Sequence, residues 1–350
     1  MLTQKQLKEI REHLEKAQNP LFFYDNDADG LCSFTILARA LGRGKGVAVK
    51  SYPGLDEGYL RKVNELNPDY IFILDKPRVE PEFISGVTEK AIPIVWIDHH
   101  NIQVEKESIK KVSYYNSYPS SEPVTFISQK IFNRKEDLWL AMTGCIGDVY
   151  MPDFAEEFTK DNPELFPEQA TRNPAFDAMY TTEIGKLAQM LNFGLKDTTT
   201  NVVRLTKLLI GAKSAYDILH ETAKTKHLHQ RFNQLNQAHK KLVEKAEAQS
   251  EPESKLLFFT YSGDTSMSSE LSNILRFRNR DKLIIVAYKN QEKANLSIRG
   301  SNARNITLKA IENIERARGG GHEKATGAQV PIDKLDEFKS NIKELVKERE

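Results

Sequence analysis

Short unbroken apolar runs alternate with longer stretches whose apolar positions recur at helical spacing, and three of the runs end on acidic or histidine residues. Leu21-Phe22-Phe23-Tyr24 leads into Asp25-Asn26-Asp27-Ala28-Asp29-Gly30, Tyr70-Ile71-Phe72-Ile73-Leu74 into Asp75, and Pro93-Ile94-Val95-Trp96-Ile97 into Asp98-His99-His100. The runs are β-prone and predict strands. Between them, residues 31–41 and 57–66 read as helices and 47–52 as a strand, after a first helix over 3–17. This alternation predicts βαβ units and a parallel sheet. Beyond His100 comes a polar stretch, then helices over 123–132 and 138–147, the second delivering Asp148. Residues 155–250 show no strand alternation and read as helical, and Ser250-Glu251-Pro252-Glu253-Ser254 reads as a linker. A second α/β pattern follows, with strands over 256–261, 283–289 and 294–300, helices over 268–278 and 306–318, and a last helix from Ile332. The expected architecture is α/β: a parallel-sheet domain over 1–152, a helical connecting segment over 153–254, and a smaller α/β domain over 255–350.

At 350 residues, 39% hydrophobic and 28% charged, the chain is long enough for two cores. No apolar run approaches the roughly 18 residues of a membrane span, and no targeting segment is evident, so a cytoplasmic protein with no membrane partner is expected. The two cysteines, Cys32 and Cys145, lie in apolar helical stretches and read as buried thiols. The formal net charge of +1 conceals a segregation: residues 196–249 carry ten Lys/Arg against five acids, and 271–318 carry eleven against four. Such segments can track phosphates, although a solvated helix face explains the first equally well.

Carboxylates that end successive parallel strands converge on one crevice, where they repel unless a cation lies between them. With imidazole present, the set reads as a divalent metal site favouring Mn²⁺, Mg²⁺ being the alternative, with one or two ions. Asp25, Asp27, Asp75, His99 and Asp148 are the expected ligands. Asp27 and His100 are the residues expected to act in the chemistry, His100 by donating to a phosphate oxygen. Adjacent side chains on an extended segment point opposite ways, so a fully extended 99–100 would keep one of the two histidines from the site. Asp98 reads as a support for an imidazole or for the turn, and Asp29 and Gly30 as shaping entry to the next helix. In the second half, Gly319, Gly320 and Gly321 form a run that can bring bare N–H groups to an anion or simply terminate a helix. His322 and Arg299, at an expected strand end, add cationic donors suited to phosphate.

Asp98-His99-His100, the acidic opening motif 25–30, Asp75, Gly147-Asp148 with Met151-Pro152, Ser297-Ile298-Arg299, and 319–322 with Ala325 and Gly327 occur in an order that resembles the DHH phosphoesterase superfamily. The resemblance is to its subfamily with a DHHA1 C-terminal domain, RecJ-like branch, and in compactness to the archaeal RecJ-like proteins. It covers residues 20–152 and about 255–331. It implies Mn²⁺-dependent hydrolysis of phosphodiesters or phosphoanhydrides, with the nucleotide held in the cleft between the domains. The leading expectation is an exonuclease releasing mononucleotides from single-stranded DNA or RNA, in replication or repair, beside a helicase or replication factor. The alternative is an oligoribonuclease (nanoRNase) or 3′-phosphoadenosine 5′-phosphate phosphatase, and a third reading is a non-catalytic replication scaffold. One departure from the pattern is Leu21, where relatives acting on pyrophosphate or very short oligonucleotides commonly carry His.

Overall fold

The computed structural model describes residues 1–50, 54–102 and 106–347. The chain divides into two compact units, Met1–Phe232 and Asn233–Glu350.

The first unit is built on five parallel strands, β1 (Pro20–Asp25), β2 (Lys45–Val49), β3 (Tyr70–Leu74), β4 (Ile94–Asp98) and β5 (Ser113–Asn116). Their order is β2-β1-β3-β4-β5. Alternate residues feed two cores. Leu21, Phe23, Ile71, Ile73 and Trp96 pack on one face with Phe83 of the helix Pro81–Thr88. Phe22, Tyr24, Phe72, Leu74 and Ile97 pack on the other against the helices Ala28–Leu41, Val124–Phe132 and Leu138–Gly147. Burial on both faces explains why these strands read as continuous apolar runs. The helices from Ala155–Asp161 to Tyr216–Leu219 join the same core, so the helical segment is part of this unit's interior as far as Phe232. Both cysteines are buried and free.

In this strand order β2 lies on one side of β1 and β3 on the other, so the direction of winding reverses between them, and that switch point opens a crevice at the C-terminal strand ends. Asp25 ends β1 and Asp27 lies two residues beyond it, while Asp75 follows β3. Gly30 lets the helix Ala28–Leu41 start against the end of β1: a Cβ there would lie 2.4 Å from the Asp25 carbonyl oxygen. Asp29, buried, accepts from the Val124 and Thr125 N–H groups at 2.9 and 2.8 Å, tying the helix Val124–Phe132 to the motif. Asp29→Ala would orphan two buried donors and is expected to cost about 2–4 kcal/mol. Urea unfolding measures this, and a change under about 0.5 kcal/mol would contradict it.

The second unit has a five-stranded sheet ordered β6-β7-β8-β10-β9. Its strands are β6 (Leu256–Tyr261), β7 (Leu283–Lys289), β8 (Lys293–Arg299), β9 (Arg318–His322) and β10 (Ala325–Pro331). Only β6 and β7 pair in parallel. Ile285, Leu296, Ile298, Val330 and Phe338 form its core. Two expectations are corrected. The helix expected over 306–318 spans only Ala303–Ile311, and Gly319–Gly321 lie in edge strand β9 instead of a loop after a helix. In the first unit, β5 and the helix Pro81–Thr88 were not anticipated, and residues 51 and 52 of the strand expected over 47–52 lie outside the described residues.

Candidate metal centre

Asp75 is the hub of the switch-point crevice. It sits at φ 57°, a left-handed conformation that Asp tolerates better than most residues, and its N–H donates to the Ile97 carbonyl at 2.9 Å. The carboxylate is buried, with Oδ1 3.1 Å from His99 Nε2 and 3.7 Å from His100 Nδ1. His99 Nδ1 in turn lies 3.7 Å from Asp148 Oδ2, at the end of the helix Leu138–Gly147. The two imidazole rings are 4.3 Å apart. Strand β4 ends at Asp98, so the strict alternation expected for 99 and 100 lapses and both histidines reach Asp75.

Asp98 is buried, and its Oδ1 lies 2.8 Å from His100 Nδ1. Burial alone would raise Asp98, but hydrogen bonding and attraction from His100, with a lesser effect of His99, hold it below the usual carboxylate range. An ionised Asp98 fixes the proton of His100 on Nδ1 and leaves Nε2 for another partner. Asp98→Asn should preserve the fold while lowering turnover about 10- to 100-fold, the usual effect of losing such an orienting partner. A variant with wild-type turnover would contradict that role.

The remaining acids are crowded. Asp27 caps the helix Ala28–Leu41, accepting from the Gly30 N–H at 2.9 Å. Desolvation, then the charges of Asp25 and Asp29, push it up to about 7. Desolvation likewise raises Asp148 to about 6, against the attraction of His99. Asp75 is raised well above the carboxylate range by burial and by Asp29 and Asp27. His99 is raised well above the ordinary histidine value, because Asp148 and Asp75 outweigh its own burial.

These groups fall into two clusters, Asp75-His99-His100 and Asp25-Asp27-Asp75, each offering donor atoms within 4.8 Å of one another. Asp75 Oδ1 is buried, and its nearest partner, His99 Nε2 at 3.1 Å, does not meet it in good hydrogen-bond geometry; that oxygen, with imidazole nitrogen and further carboxylates around it, fits a divalent ion. Asp25, expected as a ligand, already has a cation: its Oδ1 lies 2.8 Å from the buried Lys76 Nζ and accepts from the Asn26 N–H at 2.8 Å. Lys76 was missed in the sequence. A lysine following an apolar strand run, inside an acidic cluster, was the available signal.

In the second unit, β8, β10 and β9 place Arg299, Ala325 and His322 in one row across the sheet. Such neighbours share a face, so Arg299 and His322 stand two strand spacings apart, roughly 10 Å between backbones. The Arg299 fork is not an open one. Nε donates to Asn273 Oδ1 at 2.6 Å, Nη1 to the Ile298 carbonyl at 2.9 Å, and Nη2 to Ser269 Oγ at 3.0 Å. Gly320, His322 and the rest of β9 apart from Gly319 are exposed, and a Cβ at Gly320 would meet nothing within 4 Å.

Two family models match the chain: the DHH family, N-terminal domain, over residues 21–143, and the DHHA1 domain over 254–348. Among solved structures, RecJ from Thermus thermophilus in complex with Mn²⁺ superposes with a TM-score of 0.69 at 15% identity, covering 99% of this chain and 55% of that one. This chain thus spans about half the length of that protein. An exonuclease RecJ bound to manganese gives a TM-score of 0.66 at 17% identity, with 99% and 95% covered. An exopolyphosphatase-related protein from Bacteroides fragilis gives 0.53 at 12%, with 98% and 96% covered. Comparison with curated proteins finds no match. At these identities the likeness is one of fold, and it agrees with the two family models that lie on the two sheets. The chain belongs to the DHH/DHHA1 phosphoesterase superfamily and has a RecJ-like fold.

Proposed function

We propose that the chain is a divalent-metal-dependent phosphodiesterase, acting as an exonuclease that releases mononucleotides from single-stranded DNA or RNA. The observation that carries this reading is the buried, unsatisfied Asp75 Oδ1 ringed by His99, His100 and further carboxylates at the sheet's switch point. Asp27, Asp75, His99 and Asp148 hold the ion, Mn²⁺ in preference to Mg²⁺ because imidazole takes part. A bound divalent ion polarises a phosphoryl oxygen and makes an attacking water acidic. His100, oriented by Asp98 at Nδ1, donates Nε2–H to a phosphate oxygen, which requires the imidazolium form that the anionic substrate favours. Arg299 through Nη2, the backbone of Gly319, Gly320 and Gly321, exposed at the last two, and His322 grip phosphates on the second unit. RecJ supplies the analogy for a nuclease, and the replication or repair setting and a helicase partner rest on resemblance alone.

One observation favours the short-substrate alternative, a hydrolase of very short oligoribonucleotides or of 3′-phosphoadenosine 5′-phosphate. Tyr216 and Phe232, aromatic candidates for stacking bases along the basic helical stretch, pack against the first unit's core. End-labelled RNA and DNA strands of two to twenty nucleotides, digested with Mn²⁺ and with chelator, separate the readings. Mononucleotide release from long strands, abolished by chelator, is expected. Turnover confined to the shortest strands would favour the alternative, and no phosphodiester cleavage with Mn²⁺ would overturn both.

A further inference from the structure

Two donor clusters that share one carboxylate have the form of a two-ion site bridged by Asp75, since paired ions in such sites lie about 3.5–4 Å apart. One of the clusters contains a cation of its own. Lys76 is fully buried, and its Nζ donates to Asp25 Oδ1 at 2.8 Å and to the Lys50 carbonyl at 3.2 Å. Its backbone is held as well, because the buried Trp96 donates Nε1–H to the Lys76 carbonyl at 3.0 Å. A buried ammonium persists only where it is paired and hydrogen-bonded, and Asp25 meets that need. A divalent ion drawn to Asp25 would have to approach this fixed positive charge in a poorly solvated recess, where like charges repel strongly. Leu21, four residues before Asp25 and buried in the apolar core, offers no lone pair that would favour such an ion.

We propose that the Lys76 ammonium takes the place of a second metal ion. The chain then binds one divalent ion, centred on Asp75 and His99, and Asp25 serves as the counter-ion of Lys76 instead of a ligand. This rests on the metal-dependent reading above, but concerns how many ions that site takes. An ammonium neutralises carboxylate charge without activating water as a divalent ion does, so the chemistry falls to a single ion assisted by fixed protein groups.

The test is the Mn²⁺ stoichiometry of the full chain, by titration calorimetry and native mass spectrometry after chelator treatment. Wild type is expected to bind one ion. Lys76→Ser and Lys76→Asn remove the charge and leave Asp25, Asp27 and Asp75 for a second, weaker ion, so two are expected. Two ions in wild type would overturn the proposal and leave the metal-dependent reading standing. A single ion in the folded Lys76 variants would also overturn it. No ion in wild type would overturn both readings.

Discussion

Asp75→Asn is expected to abolish hydrolysis, with turnover falling on the order of 10³-fold or more, while the protein remains folded. Losing the ligand that both donor clusters share removes several kcal/mol of charge stabilisation from the transition state, and each 1.4 kcal/mol is a factor of ten in rate. Asn is the informative substitution. At φ 57° it is tolerated nearly as well as Asp, whereas Ala would add backbone strain at the same position. The substitution also removes a carboxylate that burial and the charges of Asp29 and Asp27 disfavour in the metal-free protein, so the thermal midpoint should hold or rise. Turnover in Mn²⁺ within threefold of wild type would remove Asp75 from the centre of the account.

The second large effect is on metal affinity as a function of pH. Asp27 at about 7 and Asp148 at about 6 carry protons well into the range where ordinary carboxylates have none. A protonated carboxyl cannot ligate, so binding must expel these protons and affinity must rise with pH. Because the metal-free values of Asp27 and Asp148 are raised, their share of the gain comes as pH climbs through 6 to 7 and levels off above. Between pH 5.5 and 7.5 the two sites together give a gain of about a hundredfold in Mn²⁺ affinity, where two unperturbed carboxylates would give less than about twofold. His99, held charged by Asp148 and Asp75, adds in the same direction. Calorimetry in buffers of different ionisation enthalpy measures both the affinity and the protons released. An affinity flat across this interval would mean the carboxylates are ionised without the ion.

Strands β1, β3 and β4 were legible because they are buried on both faces and end in, or run straight into, Asp, so the apolar runs marked the strands and the acids marked the crevice, whereas the less buried β5 escaped. The switch-point order then brings Asp25, Asp27, Asp75, His99 and Asp148 together, as expected for an open parallel sheet. The second unit was less legible. Strands β9 and β10 are Gly- and Ala-rich, with little β-propensity, and are strands because β10 pairs with β8 and β9 with β10, a tertiary cause that no local window contains. Lys76 was hidden for a related reason. As a lone lysine beside an acid it resembles any solvated charge, and only its burial against Asp25 gives it meaning. The partners of Arg299, Asn273 and Ser269, come from the helix Ser268–Arg278, far away in sequence.

Anomalous diffraction at the manganese edge from crystals soaked in Mn²⁺ tests the central claim most directly. The account predicts one strong peak within coordination distance of Asp75 Oδ1 and His99, with no peak between Asp25 and Lys76. A dominant peak elsewhere in the molecule, or none in this crevice, would contradict the assignment of the switch-point cluster as a metal centre.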